Sequence, residues 1–372
     1  MGDTSLLLSS SDSLPTLEYK KAPRRWLVIF AFAISNAFNA YLWISFAPIS
    51  NIAASRFNVS VNSINWLSLS YMLLYAPGAV ISIFITERFG MKILLLTAAS
   101  ANCLAAIIRW LGVYGGTSGF FIIMLGQCLA ALAQPAYINA PARLSGDWFS
   151  QGEQATATVV ASMSNVIGNA LGSSLPSAFV SIPSDIDNTL LGVAAISIVC
   201  LGLTFYLIRE DAPLEPVSGA AAKRQLARKA LVDTSNNDIN NASTIQSPVQ
   251  EAFRIVKADF IALLTNRNFW PLLLGFGLGV AAFNAILTLV SQLLLPCGYG
   301  DDVAGYAGAS ILGVGLVGAG LSGVLLDMTQ AFVPLLQAGI FFEFLAMIFL
   351  LSSFRANAET ILIIAFGISG FF

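Results

Sequence analysis

An indole and two side-chain amides sit where a plain membrane anchor would carry only aliphatic groups. Within Asn36-Ala-Phe-Asn-Ala-Tyr-Leu-Trp-Ile-Ser-Phe-Ala-Pro-Ile-Ser50, the residues Asn36, Asn39, Trp43, Phe46 and Ser50 recur at spacings of 3, 4, 3 and 4. On a single helix that spacing puts them on one face. An amide in hydrocarbon must find a partner, so this face either glues helices together or looks into a wet cavity. The π face of Trp43 would attract an organic cation without any carboxylate, at about 0.5–2 kcal/mol per ring. Asn39, one turn earlier, would reach the polar end of such a solute. Gln127 and Gln134 share a face in the same way, as do Asn165 with Asn169, and Asn284 with Thr288 and Gln292, Phe283 standing beside Asn284. Each set alone reads either as interhelical hydrogen bonding or as ligand contact. Their convergence on the first, fourth, fifth and seventh apolar segments points to a central cavity.

Composition narrows the chemistry. A mean hydropathy of +0.77, 56% apolar residues and 10% charged residues place the chain in the polytopic helical membrane class. The net charge of −2 gives no basic excess for nucleic acid. With no histidine, there is no imidazole for metal, haem ligation or proton relay, and the four cysteines show no metal-ligand spacing. No catalytic residue, cofactor or metal is therefore expected, and the chain is not read as an enzyme. The expected partners are a small-molecule substrate and the lipid bilayer, the chain acting as a monomer.

The segments that must position these residues are ten apolar stretches, about 26–50, 64–86, 93–113, 119–141, 155–180, 189–208, 269–295, 304–326, 331–353 and 360–372. Each of the first nine is long enough to cross a bilayer as a helix. They divide the chain into a disordered N-terminus (1–22), a six-helix half (23–208), a linker (209–268) and a second half (269–372) in which four spans are present. The linker closes on an amphipathic stretch, with Phe253, Val256, Phe260, Leu263 and Leu264 at helical spacing against Arg254, Lys257 and Arg267. Fifteen of the eighteen Lys and Arg residues fall on the side of the N-terminus, which puts that side in the cytosol. Asp3-Thr-Ser-Leu-Leu-Leu8 fits an acidic dileucine sorting pattern, so the membrane is the plasma membrane, or an endolysosomal one if that pattern is used. Ala37-Phe-Asn-Ala40 recurs as Ala282-Phe-Asn-Ala285 in the first span of the second half. The carboxylate deep in a span is Glu343, a candidate for proton coupling. With this carboxyl read as silent, a uniporter is the expected behaviour.

Glu87-Arg-Phe-Gly-Met-Lys92 resembles the cytoplasmic motif of the major facilitator superfamily, usually Gly-x-Leu-x-Asp-Arg-x-Gly-Arg-Lys, with Glu in place of Asp and Met91 in place of Arg. Glu87, Arg88, Gly90 and Lys92, with Arg143 and with Asp327 at the end of the eighth span, form the expected gating set. Parallel repeats about an axis along the membrane normal are the architecture of that superfamily, so the resemblance implies an all-α membrane protein of two six-helix halves, the second incomplete at Phe372. The run Arg24-Arg-Trp-Leu-Val, Asn39-Ala-Tyr-Leu-Trp-Ile-Ser-Phe-Ala-Pro48, Asn65-Trp-Leu-Ser68, Met124-Leu-Gly-Gln127, Pro141-Ala-Arg-Leu144 and Trp148-Phe149 is similar to solute carrier family 49, the feline leukaemia virus subgroup C receptor-related transporters. That resemblance implies facilitated diffusion of choline or ethanolamine, haem export or pyridoxine transport, by alternating access. It also implies a Trp of the first span, a Gln of the fourth and a Tyr of the seventh around the substrate. Trp43 and Gln134 match the first two, whereas Asn284 stands at the third, leaving an aromatic cage incomplete. The alternative of another class is a non-transporting receptor or scaffold that keeps the fold.

Overall fold

The computed structural model describes residues 22–213, 216–217, 222, 261–267, 269–329 and 332–371. The N-terminal sorting pattern, most of the linker and most of its expected amphipathic stretch lie outside the described residues. Every described element is a helix or a turn. In order they are α1 (Arg25–Ile44), α2 (Ser50–Phe57), α3 (Val61–Phe89), α4 (Met91–Leu111), α5 (Gly119–Ile138), α6 (Pro141–Trp148), α7 (Gln151–Phe179) and α8 (Asp185–Leu207). After the linker come α9 (Phe269–Thr288), α10 (Val290–Leu294), α11 (Asp301–Thr329), α12 (Phe332–Ser353) and α13 (Glu359–Phe371). Helix is dictated by the hydrocarbon, where every backbone N–H and C=O must be satisfied within its own segment.

Eight of these helices (α1, α3, α4, α5, α8, α9, α11 and α12) are long and apolar enough to cross a membrane. Of the other two expected spans, α7 has 29 residues but carries many Ser, Thr, Asn and Gln, and α13 has 13 residues. The protein is a multi-pass integral membrane protein.

The first expected span is not one helix. Regular structure stops at Ile44 and resumes at Ser50, because Pro48 has no N–H to donate and disfavours helical geometry in the residue before it. Trp43 therefore shares a helix with Asn36 and Asn39, while Phe46 lies in the interruption and Ser50 opens α2. The seventh span breaks too, at Leu289 (φ −104°, ψ 11°), which separates Asn284 and Thr288 on α9 from Gln292 on α10. The repeated Ala-Phe-Asn-Ala thus occupies matching places, its Asn six residues before Ser45 in one helix and five before Leu289 in the other.

α1 packs against α7, α5 and α8, α4 bridges α5 and α8, and α11 packs against α7 and α13. Without a strong hydrophobic drive between helices in lipid, close backbone approach matters more than side-chain bulk. A Cβ on Gly168 would run into the Ala37 carbonyl, and one on Gly172 would stand 2.6 Å from Ile44 Cγ2. Gly315 and Gly318 do the same against Gly370 and Phe371. These contacts lie within each set of helices, not between sets. The close approach between sets is made by Gly305 and Gly308 of α11 against Ser177 and Ser173 of α7. Over Trp270–Ala282 the side chains of α9, apart from Leu272, which is not described, are exposed around the whole circumference.

Candidate functional site

The interruption of α1 leaves its last carbonyls without helical partners, and neighbouring helices supply donors. Gln127 Nε2 donates to the Leu42 carbonyl at 3.1 Å and to that of Trp43 at 3.4 Å. Arg109 Nη1 donates to the same Leu42 carbonyl at 3.2 Å, and its Nη2 to Ser45 Oγ at 2.8 Å. Ser68 of α3 and Trp43 exchange two bonds: the indole N–H donates to the Ser68 carbonyl at 3.2 Å, and Ser68 Oγ donates to the Trp43 carbonyl at 3.4 Å. Trp43 is 5% exposed. Trp43 belongs to a buried apolar cluster that runs from Phe38, Leu42 and Tyr71 of the first set of helices to Leu287 and Val290 of the second. The indole is therefore part of a core that the two sets share.

The amides divide into two kinds. Asn39 is wholly buried, its Nδ2 donating to Asn102 Oδ1 at 2.8 Å and to the Ala130 carbonyl at 3.0 Å. Asn36 donates to Ser164 Oγ at 2.9 Å and to the Ala161 carbonyl at 3.0 Å, and accepts from Asn165 at 3.0 Å, which in turn accepts from Asn169 at 3.3 Å. Those four groups tie α1 to α4, α5 and α7. Gln127, fully buried, belongs with them. Gln134, Asn284 and Phe283 are only half-buried, and neither Gln134 nor Asn284 forms a hydrogen bond among the described residues. Gln127 and Gln134 share a helix face, yet one is a cap for α1 and the other forms no hydrogen bond among the described residues. Gln292 Nε2 is buried without a partner beside the break in the seventh span.

The seam closes at the ends of the helices remote from Arg25. Asn51 Nδ2 donates to Asp301 Oδ1 at 2.9 Å, and Ser291 Oγ lies 2.9 Å from the Pro48 carbonyl and 2.8 Å from Asp301 Oδ1, its single proton shared between the two. Around these bonds, Ser50 Oγ, Thr288 Oγ1 and Asp301 Oδ2 are buried with no partner. Such a concentration of unsatisfied groups is unusual for a permanent interior.

At the opposite ends, the gating set forms local bonds. Arg143 Nη1 donates to Glu87 Oε1 at 2.7 Å, both side chains well exposed, joining the end of α3 to α6. Gly90 takes φ +94°, which lets α3 turn directly into α4. The Lys92 backbone N–H donates to Asp211 Oδ1 at 2.8 Å and its Nζ to the Arg209 carbonyl at 2.6 Å. Arg88 lies in the last turn of α3, and the side chain of Asp327 lies outside the described residues. Glu343 lies on α12 between exposed Phe342 and Phe344, with its Oε2 buried and unpartnered.

Three features escaped the sequence reading. Arg109 reads as a charge near the end of the third span, whereas it is 1% exposed and bonded to α1; an arginine inside an apolar run is the signal that marks it. Asp301 and Asn51 read as loop residues beyond the spans, although together they bridge the two sets of helices. The small residues of the intersegment contact, Ser173, Ser177, Gly305 and Gly308, stand at four- and three-residue spacing.

Two sets of transmembrane helices, joined at a seam where the first and seventh spans are both broken, have the layout of a membrane transporter. Residues 29–372 match the Major Facilitator Superfamily, and the chain belongs to it. Among curated relatives it is 31% identical over 334 residues to solute carrier family 49 member A3 of Xenopus tropicalis, covering 88% of this chain and 63% of the relative. It is 29% identical over 374 residues to the choline/ethanolamine transporter FLVCR1 of Mus musculus, covering 94% and 62%. The chain thus spans 61–63% of the length of the first curated relatives it matches. Among solved structures, the partially occluded inward open xylose transporter XylE from E. coli superimposes with a TM-score of 0.64 at 13% identity, over 94% of this chain and 84% of that one. A bacterial homologue of the human lysosomal transporter Spinster gives 0.62 at 15% identity, over 95% and 74%. At such identities the likeness concerns the fold.

Proposed function

We propose that this protein carries a small organic solute across a membrane by alternating access, as facilitated diffusion of a choline- or ethanolamine-like cationic or neutral metabolite. The observation that carries the reading is the seam. Two broken helices meet at Pro48 and Ser291, with buried unpartnered polar groups around the contact that opening would hydrate. The resemblance to transporters named for choline and ethanolamine supports the solute class. In this reading Trp43 is the aromatic platform, uncovered when the seam opens, and Gln134 and Asn284 supply hydrogen bonds, with Phe283 completing the apolar wall. Asn39 and Gln127 border this site and hold the interrupted first span in place, and Gln292 borders it with its buried Nε2 unpartnered. The two halves flank a linker at 209–268, the N-terminus is cytosolic, and Glu87, Arg88, Gly90, Lys92, Arg143 and Asp327 shape the cytosolic entrance.

Glu343 lies on α12 beside the exposed Phe342 and Phe344, which favours a place outside the pathway, and so uniport. The test is uptake by full-length protein in liposomes with choline, ethanolamine, pyridoxine and haem. Saturable uptake of one of the small amines supports the proposal. No saturable uptake of any, by protein shown to be folded, would favour a non-transporting receptor.

A further inference from the structure

Arg109 is, among the described residues, the only charged residue classed as buried, and it has no acid partner there. An unpaired guanidinium inside a membrane is costly, so its surroundings must replace the missing carboxylate. They do so with the end of a helix. Its two terminal nitrogens donate to the Leu42 carbonyl and Ser45 Oγ, where the macrodipole of α1 carries its partial negative charge. The Phe46 ring lies 4.9 Å from its Cζ, a cation–π contact. Room for the side chain comes from Gly126, where a Cβ would stand 2.9 Å from Arg109 Cγ and 2.7 Å from the Ala105 carbonyl. The next residue, Gln127, reaches the same Leu42 carbonyl and that of Trp43. A cation from α4 and an amide from α5 thus converge on the two carbonyls just before and at the indole.

We infer that Arg109 is a positioning residue for Trp43: with Gln127 it clamps the interrupted end of α1 and so fixes the angle at which the indole meets its solute. This rests on the carrier reading with Trp43 as the platform. The planar fork of arginine reaches two acceptors at once, whereas a lysine ammonium would satisfy them less well. The clamp holds the bend in place as the seam opens and closes, because both clamping residues and α1 belong to the same set of helices.

The test measures uptake kinetics and backbone hydrogen exchange on full-length protein in liposomes. Arg109→Lys and Gln127→Leu should each raise KM several-fold, and Arg109→Met about tenfold, with turnover of the folded carrier within about twofold of wild type. The Arg109→Met/Gln127→Leu pair should fall short of the sum, since both act on the Leu42 carbonyl. Amides of Ser45, Phe46, Ala47 and Ile49 should exchange faster in all three single variants, while those of α12 do not change. If Arg109→Met fails to fold, the milder Arg109→Lys and Gln127→Leu decide. An unchanged KM and unchanged exchange at residues 45–49 in those two variants, with only the amount of folded protein reduced, would overturn the clamp. Wild-type protein without saturable uptake would strike the carrier reading instead, and exchange at residues 45–49 would then decide the clamp alone.

Discussion

Ser291 Oγ and the Pro48 carbonyl lie 2.9 Å apart across the seam, so the breaks in the first and seventh spans bond directly to each other. Asp301 gathers both sides, accepting from Asn51 and from Ser291. Removing either donor should weaken the closed seam, each hydrogen bond being worth about 0.5–1.5 kcal/mol net. Asn51→Ala and Ser291→Ala should therefore each speed the labelling of a Ser50→Cys thiol by a hydrophilic reagent, by roughly twofold to tenfold. Ser50 suits the purpose because it is 1% exposed and its hydroxyl has no partner to lose. Labelling rates equal to that of Ser50→Cys alone would show that these bonds do not hold the seam shut.

Trp43 separates solute binding from packing. If its π face holds an organic cation, Trp43→Phe should keep part of the affinity and Trp43→Ala should lose about 1–2 kcal/mol of it, a roughly fivefold to thirtyfold rise in KM. The indole also belongs to the buried core, so both variants should lower the yield of folded protein. Uptake kinetics divided by the amount of folded carrier distinguish the effects. An unchanged KM in Trp43→Ala would move the residue from the site to the core.

Backbone contact between α1 and α7 sets a third expectation. Gly168→Ala places a methyl against the Ala37 carbonyl, while Gly192→Ala on α8 meets open space. The first should cost about 1–3 kcal/mol through overpacking and the second stay within about 0.5 kcal/mol of wild type. Thermal unfolding in detergent reads the difference, and equal midpoints for the two variants would contradict the packing described.

How far the sequence could be read is clear from particular residues. Apolar run length located the helices, since hydrocarbon leaves the backbone no alternative. The repeated Ala-Phe-Asn-Ala marks matching positions in α1 and α9. Pro48 was visible as a helix breaker, yet a face drawn through Asn36 to Ser50 ignored it. Periodicity could not separate Gln127 from Gln134, because the two lie on one helix face and differ only in depth: one reaches the α1 carbonyls and the other does not. Asp301 escaped notice because a residue outside an apolar run gives no sign of the partner that folding brings from 250 positions away.

Coupling gives a fourth prediction. Glu343 sits on a helix whose neighbouring side chains, Phe342 and Phe344, are exposed, so uptake should depend little on an imposed pH gradient. Glu343→Gln should leave rate and pH profile within about twofold of wild type. A steep dependence on the gradient that disappears in Glu343→Gln would make this carboxyl the coupling group.

The most direct measurement is to lock the seam. A reversible thiol cross-link between Asn51→Cys and Asp301→Cys, in protein with Cys297→Ser, would join the two sides where Asn51 Nδ2 and Asp301 Oδ1 now lie 2.9 Å apart. Uptake by the full-length protein of whichever small amine it carries should stop on cross-linking and return on reduction. Complete cross-linking with uptake undiminished would contradict a carrier that works by opening this seam.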